Sequence, residues 1–298
     1  MSLSRRALLS TAGATAILAA TAPPVLARPR VRTANAIRQV PLQGAVNVRD
    51  LGGYLTYDGA RVRHGLVYRG DHLGKLTAAD LTVLGGLGLA RVIDFRIPLE
   101  VQSDGTDRLP AGPVLVSRPV TDNGLYGQLL AAIGSRDPVR QERMLGGGRA
   151  AAFMTEVYRT FVTSPANRER FGTTLRELAA PGTGPHLYHC TSGKDRTGWT
   201  SWLLLTLLGV PERTATEDYL ASNTFRAAND ARVREGLRQA GLMQNPDLII
   251  PLQEVSRPYL DAALAELRTA YGSVYHYLTD GLGLDLPVLA ALRRRLVD

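Results

Sequence analysis

Short apolar runs alternate along this chain with longer stretches whose apolar positions recur at helical spacing. Residues 65–69, 91–95, 114–116 and 185–189 are too short for helices and carry β-branched or aromatic side chains, so they read as strands. Arg91-Val92-Ile93-Asp94-Phe95 and Val114-Leu115-Val116 have the character of buried strands of the parallel kind. Residues 77–87 predict a helix with Thr77 as N-cap, its end blurred by Gly85 and Gly86. Residues 150–161 and 169–179 read as further helices. Residues 197–208 form a strongly apolar helix stopped by Gly209 and Pro211. The last third of the chain reads as helical. This alternation predicts the α/β class: one domain, with a parallel sheet flanked by helices.

Two stretches fall outside the alternation. Between Pro119 and Gly148 the chain is punctuated by Pro138 and Gly146-Gly147-Gly148, and any helix there is weakly amphipathic. It reads as a surface excursion, a helical lid insertion that could cover a site. The other stretch is the N-terminus. Arg5-Arg6, with Ser4 before and Leu8-Leu9 after, precedes a soft apolar segment from Ala7 to Ala20, and Val25-Leu26-Ala27 supplies small residues for cleavage. Ser10, Thr11, Gly13, Thr15 and Thr21 break that segment well short of the ~18 apolar residues a membrane anchor needs. Residues 1–27 are therefore read as a twin-arginine signal peptide, residues 28–40 as a linker rich in Arg and Pro, and residues 41–298 as the folded domain. The expectation is an exported protein, periplasmic, wall-associated or secreted, with no stable membrane anchor.

The 298 residues are ample for a core, and the net charge of +8 favours anionic substrates. The arginine excess, with abundant Ala, Leu and Gly, also fits a GC-rich genome. Only two lysines occur, Lys75 and Lys194. Zinc-finger spacing, an RNP motif and a dense basic–aromatic run are all missing, so no nucleic-acid partner is expected. Cys190 is the only cysteine, which rules out an intramolecular disulfide. Inert burial is the common fate of a lone thiol, but the flanking residues point elsewhere.

The strand at 185–189 and the helix at 197–208 enclose Cys190-Thr191-Ser192-Gly193-Lys194-Asp195-Arg196, a Cys-x5-Arg spacing. A strand running into a tight loop at a helix N-terminus aims several backbone N–H groups at one point and makes an anion site. Arg196 can grip two phosphate oxygens in its planar fork. In such a field a thiol with an ordinary pKa of ~8.5 falls to roughly 3.5–7.5, and Cys190 becomes a nucleophile. Gly193 lets the backbone approach the anion. A Walker A loop fails, because Tyr188 stands at its first Gly position and Asp195 follows Lys194. No Gly-x-Ser-x-Gly elbow is present. A zinc site from His186, His189 and Cys190 fails because the three do not share one strand face.

The run His-Cys-Thr-Ser-Gly-Lys-Asp-Arg-Thr-Gly resembles the signature of bacterial secreted protein tyrosine phosphatases of the lipid-and-protein type. Asn47-Val48-Arg49-Asp50-Leu51-Gly52-Gly53, Ile93-Asp94-Phe95-Arg96 with Glu100, Asp218-Tyr219-Leu220 with Ser222-Asn223, and Tyr271-Gly272-Ser273 fit the same family, which has Leu where Phe95 stands. The resemblance covers roughly residues 40 to 298 and implies a cysteine-phosphatase-like fold over the domain at 41–298. It also implies roles. Cys190 attacks phosphorus, Arg196 and the loop residues Thr191, Ser192, Gly193 and Lys194 bind the phosphoryl group, and Thr197 donates to the sulfur. Asp195 is then the general acid, with Asp122 of the excursion as its rival.

The expected reaction is two-step phosphomonoester hydrolysis without metal or other cofactor. Phosphotyrosine proteins are the implied substrates, with phosphoserine beside them, and Lys194, which resembles the lysine in phosphoinositide-phosphatase loops, extends the expectation to phosphoinositides. A non-catalytic phosphate- or phosphoinositide-binding protein is the alternative; intact Cys190, Asp195 and Arg196 count against it. An RNA 5′-triphosphatase is disfavoured by the export signal and the lack of a basic stripe. Arg49 and Asp50 are expected to pair and brace the loop, and His189 to shape it by hydrogen bonding. Asp94 stands either at the ligand edge of the sheet or in a pair with an arginine. Tyr158, Arg159 and Tyr219 are read as packing residues that could line a pocket.

Overall fold

A computed structural model of the chain describes residues 37–298. The signal-peptide segment and most of the linker lie outside the described residues. The elements, in chain order, are β1 (Arg38–Gln39), β2 (Arg49–Asp50), β3 (Val67–Gly70), α1 (Ala78–Gly85), β4 (Arg91–Asp94), α2 (Pro98–Asp104) and β5 (Val114–Ser117). Then follow α3 (Leu125–Ser135), α4 (Pro138–Leu145), α5 (Arg149–Thr163), α6 (Pro165–Ala179), β6 (His186–His189), α7 (Arg196–Leu207) and α8 (Glu212–Gln239). The chain ends through α9 (Ile250–Gln253), α10 (Arg257–Tyr271), α11 (Val274–His276) and α12 (Leu286–Leu296). No helix of the described residues is long and apolar enough to cross a membrane.

The strands form one sheet in the order β1-β2-β3-β6-β4-β5. β3, β6, β4 and β5 run parallel, whereas β1 and β2 add antiparallel at one edge. The sheet is therefore mixed and not wholly parallel. β1, β2 and β3 are joined without a helical crossover, and such connections return the chain antiparallel. The proposed linker at 28–40 also runs too far: Arg38 and Gln39 pair with β2, and Val40 is buried. β5 is a further correction. Its apolar residues signalled a buried strand, but it is the sheet edge, and Val114 and Leu115 are exposed.

Strand alternation gives the sheet two cores. Val92 and Leu187 face α1 with Leu73, Leu76 and Leu84. Ile93 and Tyr188 face the larger helical layer, which contains Phe161, Phe171, Trp199 and Leu264. Helix α6 begins four residues before the expected start. Ser164 caps it by accepting from the Asn167 N–H, and Pro165 occupies the first turn, where its missing N–H costs nothing. β6 is central, so its C-terminal end lies between those of β3 and β4, where parallel α/β sheets hold ligands.

Candidate active site

Cys190 follows β6 directly and is buried at the base of a cavity of about 570 Å³. The loop after it is held by its carbonyl groups. The Thr191 carbonyl accepts from the His72 N–H at 3.2 Å, and the Ser192 and Gly193 carbonyls both accept from Asn47 Nδ2 at 3.0 Å. Arg69 adds a 2.8 Å bond to the Gly193 carbonyl, and Arg226 a 3.3 Å bond to that of Ser192. In a trans peptide the N–H points opposite to the C=O, and no cis bond occurs among the described residues. Tying the carbonyls to the scaffold therefore turns the following N–H groups inward. Gly193 is required: its φ is +65°, and a Cβ there would lie 2.3 Å from the Gly70 carbonyl oxygen.

Arg196 stands across the loop. Glu100 grips its terminal nitrogens at 2.6 and 2.5 Å, and also accepts from the Thr191 hydroxyl at 2.7 Å. That pairing leaves one edge of the guanidinium for a bidentate anion. Burial disfavours both charges, but their attraction prevails: Glu100 is held below the usual carboxylate range and Arg196 well above its ordinary value. Burial likewise pushes the Cys190 thiol up. Arg196, with the Thr197 hydroxyl and N–H, overcomes that and the opposing charge of Asp195, and the thiol lies below its ordinary pKa. The buried Thr197 hydroxyl has no nitrogen or oxygen partner among the described residues and is left to the sulfur.

The two candidate acids both line the cavity. Asp122 stands at the start of α3, one carboxylate oxygen accepting from the Gly124 N–H at 3.0 Å and the other from the Tyr126 N–H at 2.8 Å. Asp195 accepts from Lys194 Nζ at 2.8 Å and from the Tyr158 hydroxyl at 3.0 Å. The excursion supplies α3 and α4, and Leu125, Leu129 and Ile133 of α3 form part of the cavity's apolar wall.

Arg49 and Asp50 do not pair. Adjacent on β2, they point to opposite faces. Asp50 accepts from the N–H groups of Gly52 and Gly65, whereas Arg49 meets Asp218 at 2.9 Å. Arg69 meets the same carboxylate at 2.6 Å, and the Tyr54 hydroxyl donates to it at 3.0 Å. All three charges are buried; burial alone would raise the Asp218 pKa, but the two guanidiniums bring it down to about 2. Arg69, Arg226 and the Asp218 hub were missed in the sequence, where only the runs containing Arg49 and Asp218 stood out. A charged residue inside a short apolar strand, as in Val67-Tyr68-Arg69, was the available signal.

His189 does not line the cavity. Its Nε2 is 2.9 Å from Asp107 and its Nδ1 3.3 Å from the Cys190 carbonyl, the loop-shaping part expected of it. Burial lowers the His189 pKa but Asp107 raises it further, and Asp107 itself falls to about 2. Asp94, Asp107 and His189 approach closely enough to hold a cation, but Arg96 already bonds both carboxylates at 2.8 and 3.0 Å. Asp94 is thus a structural partner of Arg96. Tyr158 and Tyr219 are fully buried, while Arg159 is half exposed and pairs with Glu156.

The profile of the Tyrosine phosphatase family matches residues 40–298. The chain belongs to that family. It is 36% identical to a Cupriavidus necator protein whose own assignment as a tyrosine-protein phosphatase is provisional, over 82% of this chain and 84% of that one. It is 29% identical to the triple specificity protein phosphatase PtpB of Mycobacterium tuberculosis, over 82% of this chain and 94% of that one. Among solved structures, Pseudomonas aeruginosa TpbA is loosely similar, at a TM-score of 0.31 and 19% identity, covering 70% of this chain and 98% of that one. The family membership makes this chain a cysteine-dependent tyrosine phosphatase, with Cys190 its single cysteine.

Asp218→Asn should destabilise the fold by about 3–5 kcal/mol, because it strands two buried guanidiniums. Denaturant unfolding would measure it, and an unchanged midpoint would contradict the hub. The sign with pH is fixed by the lowered pKa. The stabilisation is complete above the unfolded carboxyl's value of ~3.9 and is lost as pH falls through about 2.

Proposed function

We propose that the enzyme transfers the phosphoryl group of a phosphomonoester to Cys190 and then to water, and that its substrates include phosphoinositides and phosphoserine beside phosphotyrosine. The observation that carries this reading is the thiol of lowered pKa set against Arg196 inside a loop whose Thr191, Ser192 and Gly193 carbonyls are tied back to the scaffold. The Cys190 thiolate attacks phosphorus as the ester P–O bond breaks. Arg196 and the N–H groups of the loop from Thr191 to Lys194 hold the equatorial oxygens, and Thr197 supports the sulfur. Asp195 protonates the leaving oxygen, then accepts a proton from the water that breaks the P–S bond and frees phosphate and thiolate.

Asp195 is favoured over Asp122 because both oxygens of Asp122 are committed to backbone N–H groups. Lys194 is assigned a phosphate contact. On moving from Asp195 to the bound dianion it would release the carboxyl to take up a proton, since two negative groups resist sharing a site. The wider substrate range is supported by that loop lysine, by the size and partly apolar wall of the cavity, and by the triple specificity named for PtpB. A panel of phosphotyrosine and phosphoserine peptides and phosphoinositides in mixed micelles tests it. Turnover of all three is expected. Turnover of phosphotyrosine alone would narrow the enzyme to a tyrosine phosphatase, and binding without turnover would favour the non-catalytic reading.

Export through the twin-arginine route is proposed from Arg5-Arg6 and the Val25-Leu26-Ala27 site. Replacing both arginines by lysine should trap precursor in the cytoplasm; unchanged secretion would contradict that route.

A further inference from the structure

One buried titratable group beside the loop has no part in the reaction above. Tyr158 lies on α5, has no exposed surface, and donates its hydroxyl to Asp195 Oδ1 at 3.0 Å. The same hydroxyl lies 2.8 Å from that of Tyr219 on α8, which is equally buried. The Tyr219 hydroxyl also reaches the Ser256 carbonyl, at 3.3 Å.

Two phenol protons serve three contacts. Asp195 as carboxylate and the Ser256 carbonyl can only accept. The 2.8 Å phenol–phenol contact is near the ideal for O–H···O, and the 3.3 Å contact is long. The better-formed chain therefore runs from Tyr219 to Tyr158 to Asp195, each bond polarising the next. Burial, and next the charge of Asp195, hold the Tyr158 pKa well above its ordinary value, so the proton stays on the phenol.

We infer that Tyr158, backed by Tyr219, is a positioning residue that fixes the Asp195 carboxyl so that Oδ2 carries the transferred proton. The inference rests on the reading of Asp195 as the acid. A phenol donating to Oδ1 makes that oxygen the carbonyl oxygen of the protonated acid. Before substrate arrives Lys194 Nζ bridges both oxygens, 2.9 Å from Oδ1 and 2.8 Å from Oδ2, so once it moves to the phosphoryl group only the Tyr158 bond tells them apart, and the proton must sit on Oδ2. The same geometry returns the group to a defined orientation when it accepts a proton from water.

Tyr158→Phe keeps the ring, which packs against Phe161 and Tyr259 at centroid distances of 5.0 and 5.9 Å. We expect kcat/KM on phosphotyrosine to fall on the order of 10-fold, the scale of one hydrogen bond to a charged group. On a dinitrophenyl phosphate, whose leaving group needs no proton, it should change by less than about 2-fold by the same reasoning. A hydrogen bond to the carboxylate favours its charged form, so its loss should move the alkaline limb of kcat/KM to higher pH. Tyr219→Phe should give the same pattern at smaller amplitude, and serves should the first variant not fold. Equal losses on both substrates with an unmoved limb would reduce Tyr158 to a packing role, and no loss on either would remove it from the mechanism. The Asp195→Asn, Tyr158→Phe double variant should match Asp195→Asn alone; additive losses would overturn the inference. Should Asp195→Asn by itself leave the leaving-group dependence intact, the assignment of the acid has failed, and that result is read without any tyrosine variant.

Discussion

Cys190→Ser is expected to lower turnover of an aryl phosphate on the order of 10⁶-fold, the scale on which an enzyme loses its covalent nucleophile. Arg196 and Thr197 bring a thiol below its ordinary value against the cost of burial. A serine hydroxyl starts many pKa units higher, and the same field cannot ionise it. Anion binding should survive, because Arg196, its Glu100 brace and the loop N–H groups are untouched. Inorganic phosphate should thus bind Cys190→Ser with near-native affinity by calorimetry. Retained turnover would sink the mechanism, and lost phosphate binding would mean that the serine variant had disturbed the loop.

The second large effect concerns Asp195. We expect Asp195→Asn to lower kcat/KM on phosphotyrosine by roughly 10²–10⁴-fold, the usual range for a proton-transfer residue. An activated aryl phosphate should suffer much less, since its phenolate leaves readily without a proton. The alkaline limb of the pH profile should flatten. Asp122→Asn should do little to any of these, because that carboxylate is committed to the Gly124 and Tyr126 N–H groups at the start of α3. A larger loss in Asp122→Asn, with the limb lost there, would move the acid to the excursion.

What the sequence disclosed about this site follows how its parts are distributed. Cys190, Arg196 and the residues between them are contiguous, so one strand–loop–helix reading brings them together. The scaffold is not contiguous. Glu100 lies ninety-six positions from the arginine it grips, and Arg49 meets Asp218 across most of the chain. Near neighbours misled in that respect: Arg49 and Asp50 form an obvious pair on paper, but strand alternation separates them. The edge strands failed for a related reason. Val114-Leu115-Val116 has the apolar content of a core strand, and only its place in the sheet order exposes it. Likewise, Arg38–Gln39 is too short and polar to be seen as a strand before its partner at Arg49–Asp50 is known. The excursion was visible through its Pro and Gly punctuation, but its contribution to the cavity wall required α3 to be folded over the loop.

The central claim is that a phosphoryl group passes through Cys190. Rapid acid quench during phosphotyrosine turnover, followed by peptide mapping, tests it most directly. One phosphoryl group on the peptide containing Cys190 is predicted, formed equally well in EDTA and missing from Cys190→Ser. A phosphoryl group on any other residue, or steady turnover by Cys190→Ser, would contradict the account.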